Sequence, residues 1–111
     1  MFVKNVNEVK TDGLSLEGVK NAGIKWLIGE KDGAEHFYMR LAIIEKDGVV
    51  PLHNHPYVHE IYVVTGEGTV FLEDDEKPMK EGDFVFVEGD LVHGFKNTGN
   101  DTLKFICCIN K

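Results

Sequence analysis

Cysteine is scarce in this chain of 111 residues, and its two copies, Cys107 and Cys108, are neighbours. Adjacent residues on a strand face opposite ways, so a bond between them demands strained geometry and both read as free thiols. A disulfide-stapled scaffold is thereby excluded. No apolar run is long enough to span a bilayer, and Met1-Phe2-Val3-Lys4 passes at once into polar sequence. Neither a leader peptide nor a membrane partner is expected, and a cytoplasmic setting is. Basic residues are outnumbered, 12 Lys and Arg against 19 Asp and Glu, for a net charge of -7. Nucleic-acid binding relies on clustered cations that release counterions from phosphate, so no nucleic-acid partner is expected, and the scattered charges read as a solvated acidic surface. Repeats, low-complexity tracts and linkers are also missing, as is any segment with a sustained 3.6-residue apolar period. What remains, with 42% hydrophobic residues, is enough for one core and one domain over residues 1–111.

The pattern that is present is short and extended. Strands are expected at about Ile24–Ile28, His36–Glu45, His59–Thr65, Thr69–Glu73, Asp83–Val87, His93–Asn97 and Leu103–Ile109, divided by turn signals such as Lys46-Asp47-Gly48, Thr65-Gly66-Glu67-Gly68 and Thr98-Gly99-Asn100-Asp101. Many short strands with glycine turns point to an all-β sandwich or barrel. In the last strand Lys104 marks the outer face, which assigns Leu103, Phe105, Cys107 and Ile109 inward and Cys108 outward. The N-terminal segment, residues 1–23, is less regular: Leu14 and Leu16 alternate with polar residues, and Phe2, Val6 and Val9 suit a short helical turn or an irregular strand.

Four of the five histidines fall in two places, His53-Asn54-His55-Pro56-Tyr57-Val58-His59 and Leu91-Val92-His93-Gly94. In an extended segment residues i and i+2 project to one side, so His53 and His55 can offer two imidazoles to one point. Glycines frame both places: Gly48 precedes the first cluster, Gly66 and Gly68 follow it, and Gly82 leads the strand before the second. His36 lies far from either and reads as structural or exposed.

With these residues in view, the chain resembles the cupin family over about residues 36–109. The family's first motif carries a glycine, an H-x-H pair, a glutamate and a second glycine; its second carries a glycine, a proline, a further glycine, a histidine and an asparagine. Three residues separate His55 from position 59 and six separate that position from Gly66, so His59 stands where the family usually has glutamate. The looser spacing of the motif makes Glu60 the rival ligand. Strand parity sends His59, Ile61 and Val63 one way and Glu60, Tyr62 and Val64 the other, with the register to Gly66 favouring His59. Gly82, His93 and Asn97 keep the register of the second motif, while Glu88 replaces the proline and Asp90 the second glycine.

The resemblance implies a jelly-roll cupin barrel, the double-stranded β-helix, with Met39, Leu41, Ile43, Phe84, Phe86 and Phe95 as its inner walls. It implies one divalent transition metal per chain on His53, His55, His59 and His93. Imidazole suits Mn, Fe, Co, Ni, Cu or Zn, while the oxygen preference of Ca and Mg argues against them. A ligand set without a carboxylate leaves the full charge of the ion in place and favours an anionic or enolic small-molecule substrate. Tetrahedral zinc would close such a site, whereas an octahedral ion keeps two positions open. Cupins with histidine-rich sites include oxygenases, isomerases, lyases and cyclases. The leading expectation is an oxygenase of the dioxygenase type, with a metal-dependent isomerase, lyase or cyclase as the alternative and a non-catalytic metal or ligand sensor as the third. Arg40, Glu60 and Cys107 are the candidate catalytic residues, the first two for acid, base or anion clamp, and Cys107 is also expected to line the interior that holds the metal. A homodimer is expected because small jelly rolls leave sheet edges to be covered, with residues 1–23 either lent to a partner or folded over their own barrel. Metal loss is expected as pH falls through the ordinary imidazole range, near ~6.5.

Overall fold

The computed structural model of the chain describes residues 1–110 and builds them from β-strands with two single-turn 3-10 helices. The strands are β1 (Asp12–Gly13), β2 (Lys20–Ile28), β3 (Phe37–His53), β4 (His59–Thr65), β5 (Glu67–Phe71), β6 (Glu76–Lys80), β7 (Phe84–Val87), β8 (His93–Asn97) and β9 (Leu103–Asn110). All pair antiparallel, in the order β6-β5-β8-β3-β9-β4-β7, with β2 on β3 and β1 on β2. The result is the expected all-β jelly roll, a nearly closed barrel.

β3 belongs to both halves of that barrel. Residues 37–44 pair with β9, and residues 49, 50 and 53 pair with β8. Between them Lys46-Asp47-Gly48, expected to be a turn between strands, is instead a kink within one continuous strand. Asp47 takes a φ of 65° there. Gly48 is buried so tightly that a Cβ would lie 2.7 Å from the carbonyl oxygens of Asn21 and Glu45. Asn97 clamps the same bend: its Nδ2 donates to the carbonyls of Ile44 at 2.9 Å and Asp101 at 2.8 Å, and its Oδ1 accepts from the Gly99 amide at 2.9 Å. A buried amide satisfied in this way holds the corner without a desolvation penalty.

Alternation places the core. On β4 His59, Ile61 and Val63 are buried while Glu60, Tyr62 and Val64 are exposed, and on β9 Leu103, Phe105, Cys107 and Ile109 are buried, both as the sequence parity predicts. Full burial of a side chain such as Leu103 or Val63 contributes about 1.5–3 kcal/mol each. The predicted inner walls need correction. Register pairs Arg40 with Cys107, Ala42 with Phe105 and Ile44 with Leu103, so these three face inward, and Met39, Leu41 and Ile43 lie on the other face. Phe84 and Phe86 are 85% and 57% exposed, and Val85 and Val87 turn inward in their place. Of the six predicted wall residues only Phe95 lines the cavity beside the histidines. β3 and β7 are apolar on both faces, so composition alone has no sign to read.

β6 was not among the expected strands, and it contains Pro78. It lies at the end of the strand order, where a residue without an N–H forfeits nothing to a second neighbour. In the N-terminal segment Val6–Glu8 form a 3-10 turn closed by a capping box between Asn5 and Glu8. β1 then pairs with β2 of its own chain, and Leu14 and Leu16 pack on the core of their own barrel. Among the described residues no helix is long and apolar enough to cross a membrane.

Candidate metal centre

Three histidines of the two motifs sit at strand ends and the fourth in a link between strands. His53 closes β3, His59 opens β4, His93 opens β8, and His55 lies in the short link from β3 to β4. His53 and His93 are register partners across the β3–β8 pair. The second motif is tied to the first by the Asp90 amide, which donates to the His55 carbonyl at 2.8 Å. Asp90 adopts a φ of 65°, the left-handed conformation that the family's glycine would take there and that aspartate tolerates better than most residues. The departure from the motif therefore keeps its turn.

Three imidazoles are aimed by nearby backbone. The Nδ1 of His53 lies 2.8 Å from the Pro51 carbonyl, that of His55 2.8 Å from the Tyr57 carbonyl and that of His93 2.7 Å from the Leu91 carbonyl. A carbonyl only accepts, so each Nδ1 carries the proton and each Nε2 presents a lone pair. The His93 Nε2 is buried with no hydrogen-bond partner, and the Nε2 atoms of His55 and His59 are 2.8 Å apart. One ligand atom from each of His53, His55, His59 and His93 lies within 4.8 Å of the others. A buried, unpartnered lone pair facing three more imidazoles is what a divalent cation satisfies, and the donor set suits a borderline transition ion. These residues fit the metal that the sequence implied.

His59 is supported differently. Its Nδ1 lies 2.6 Å from Cys107 Sγ and 3.4 Å from Arg40 Nη2, which is itself 3.3 Å from the same sulfur. Side chains from β3 and β9, not a local carbonyl, set this ring.

Burial favours the neutral form of three of the four rings. Burial, with the Arg40 charge second, pushes His59 down to about 2. Burial takes His93 down to about 4, partly opposed by the Leu91 carbonyl, and also lowers His55. Neutral imidazole is the form that binds a metal. Burial moves the Cys107 thiol the other way, up, against the pull of Arg40.

His53, His55 and His59 open on a cavity of about 200 Å³. Leu14, Leu16, Ile24, Val50, Phe95 and Phe105 supply most of the apolar wall, and Arg40, Tyr57 and Cys107 add polar groups. Of the weaker sequence candidates, Arg40 and Cys107 reach the site. Glu60 does not, because the alternation of β4 turns it to the outer surface. His36 is exposed, away from the cluster. Tyr57 was assigned no role from sequence, yet its ring stacks on His55 at 3.8 Å with 7° between planes. Its position within the histidine motif was the available signal.

Comparison with known proteins agrees with this geometry. The chain superposes on the polyketide cyclase RemF from Streptomyces resistomycificus with a TM-score of 0.92 and 27% identity, covering 99% of this chain and 79% of that one. It superposes on a predicted oxalate decarboxylase from Thermotoga maritima with a TM-score of 0.85 and 25% identity, covering 98% of each. Among curated proteins it is 32% identical over 68 residues to an uncharacterized protein of Methanocaldococcus jannaschii, covering 60% of this chain and 54% of that one. It is 31% identical over 75 residues to the polyketide synthase CurC of Streptomyces cyaneus, covering 67% and 49%. The chain thus spans about half the length of these curated relatives. Residues 40–109 match the cupin domain family, a segment that takes in all four clustered histidines, and the chain therefore belongs to that family.

Proposed function

We propose that this cupin is a metal-dependent enzyme acting on a small enolisable carbonyl compound, with the ion used as an electrophile in the manner of a cyclase, lyase or isomerase. The observation that carries this reading is the convergence of four histidine side chains, three of which line one mostly apolar cavity. A divalent ion held by His53, His55, His59 and His93 supplies Lewis-acid polarisation of a carbonyl oxygen. The local carbonyl bonds keep three of the rings in the ligating tautomer, and stacking by Tyr57 fixes the plane of the His55 ring. A cavity of about 200 Å³ is below the range typical for drug-sized ligands, which favours a small substrate. Likeness to a polyketide cyclase along almost the whole chain supports the electrophile reading over the oxygenase expected first from sequence. Protein loaded with metal under argon in D2O should exchange the α-hydrogens of small ketones and 2-oxo acids, followed by proton NMR. Strict dependence on dioxygen with stoichiometric uptake would restore the oxygenase reading. Ligand binding without exchange or turnover would leave a sensor or storage module.

A two-fold homodimer is the second part of the proposal. Phe84, Phe86, Tyr62 and Val64 are 85%, 57%, 53% and 44% exposed. All four lie on the outer face of the paired strands β4 and β7, and β7 is an edge of the sheet. A contiguous apolar face at a sheet edge is suited to burial against its own copy in an isologous contact. Changing both Phe84 and Phe86 to Asp should convert a dimer to a monomer by light scattering while leaving metal content unchanged. Wild-type protein that is monomeric at high concentration would refute this assignment. Two reduced thiols suit the cytoplasmic setting proposed for it.

A further inference from the structure

We infer that Arg40 is the anion-recognition residue of this site and that the substrate carries a carboxylate beside the oxygen directed at the metal. The inference rests on the metal-centre reading above and names the substrate class for it. Arg40 is 8% exposed and lines the cavity together with His53, His55, Tyr57 and His59. None of the ion pairs among the described residues involves it, and its Nε is buried without a hydrogen-bond partner. Its Nη2 contacts are the Cys107 sulfur and the His59 ring, and its guanidinium lies 5.4 Å from the Trp26 ring centroid and 5.9 Å from that of Tyr57. Aromatic faces and a neutral thiol soften the burial of a cation but do not neutralise it.

A guanidinium presents a planar fork of donors matched to a carboxylate, and it keeps its charge at every accessible pH. Here most of that fork is unused, it borders the cavity, and no acidic group among the described residues pairs with it. Only one imidazole ring, that of His59, separates it from the converging Nε2 atoms: the guanidinium contacts Nδ1 and the cluster contains Nε2. A compact 2-oxo or 3-oxo acid spans that interval, with its carboxylate toward Arg40 and its carbonyl toward the ligand cluster. The four histidines contribute no negative charge, so an incoming anion is the only group that balances both the ion and Arg40.

The test uses the full chain loaded with Co(II), whose visible spectrum reports the ligand field, titrated with pyruvate and with its neutral analogue methyl pyruvate. Wild-type protein should prefer pyruvate by about 30-fold or more, the scale of a buried charge-assisted pair. In Arg40→Gln that preference should shrink to within about 3-fold with Co(II) affinity retained, and Arg40→Lys should recover part of it. Equal preference in wild type and Arg40→Gln would show that the metal alone reads the anion and would overturn the proposal, as would the absence of any preference in wild type. Co(II) that fails to bind wild-type protein would instead overturn the metal centre itself, and the proposal with it. Co(II) affinity that collapses in Arg40→Gln and returns in Arg40→Lys, with the pyruvate preference unaltered, would reduce Arg40 to a residue that positions His59.

Discussion

His59→Ala should weaken divalent-metal binding by about 100-fold or more, while His59→Glu should keep the ion and lower its reduction potential. The alanine variant leaves His53, His55 and His93, each with its ring set by a backbone carbonyl, and three protein ligands suffice to hold a catalytic metal. Binding should therefore remain measurable. The glutamate variant restores the ligand usual in the family and adds a negative charge that favours the higher oxidation state. It also gives Arg40 a carboxylate neighbour where it now has a ring nitrogen at 3.4 Å. Competition with a chromophoric chelator gives the affinities, and voltammetry of a redox-active form gives the potential. Should wild type and both variants behave alike while Glu60→Ala loses its metal, the four-histidine assignment is wrong.

The second large effect concerns acid. Metal-free protein should lose about 4 kcal/mol of stability between pH 7 and pH 5 through His59 and His93 alone. Both are held low in the folded state, to about 2 and about 4, chiefly by burial. Unfolded, each returns to the ordinary imidazole value of about 6.5. Above that value neither state binds the proton and these groups leave stability unchanged. Below it only the unfolded chain binds protons, so stability falls by about 1.4 kcal/mol per pH unit for each histidine, down to about pH 4 for His93 and further for His59. Urea unfolding of chelator-treated protein at several pH values measures the slope, and a flat profile from pH 7 to pH 5 would contradict it. The same burial alters the expected metal loss. Protons compete for His59 and His93 only well below the ~6.5 expected for free imidazole, so these two rings should keep their hold on the ion through that range.

Much of this was legible from sequence wherever polarity and spacing agreed. β4 and β8 begin and end where glycine punctuation and the histidine motifs put them, and β9 shows the inward and outward faces that Lys104 indicated. The four-histidine cluster was legible because an H-x-H pair and its later partners occupy fixed registers. Legibility failed where one local signal had two meanings. Lys46-Asp47-Gly48 has the composition of a turn, and in a strand shared by both halves of the barrel the same residues make a corner. Pro78 has the look of a strand breaker, and at a sheet edge it breaks nothing. Phe84 and Phe86 are the larger apolar residues of β7, yet the register with β4 places Val85 and Val87 opposite Ile61 and His59 on the inner side. Arg40 is the converse case, a cation on the inward face of a strand, and only the pairing with Cys107 reveals it.

The support of the ligand histidines has a hereditary side. His53, His55 and His93 each take their orienting bond from a carbonyl two positions away, so each ring and its brace travel together in a fragment of three residues. Such fragments can be exchanged between barrels or shuffled by recombination without retuning anything distant. His59 has no such independence. Its neighbours at positions 40 and 107 come from separate strands, so a lineage that replaces the ring meets a stranded guanidinium and a buried thiol inherited from elsewhere in the chain. Change at position 59 is therefore epistatic with positions 40 and 107, and the three are expected to drift as a set while the other ligands stay portable.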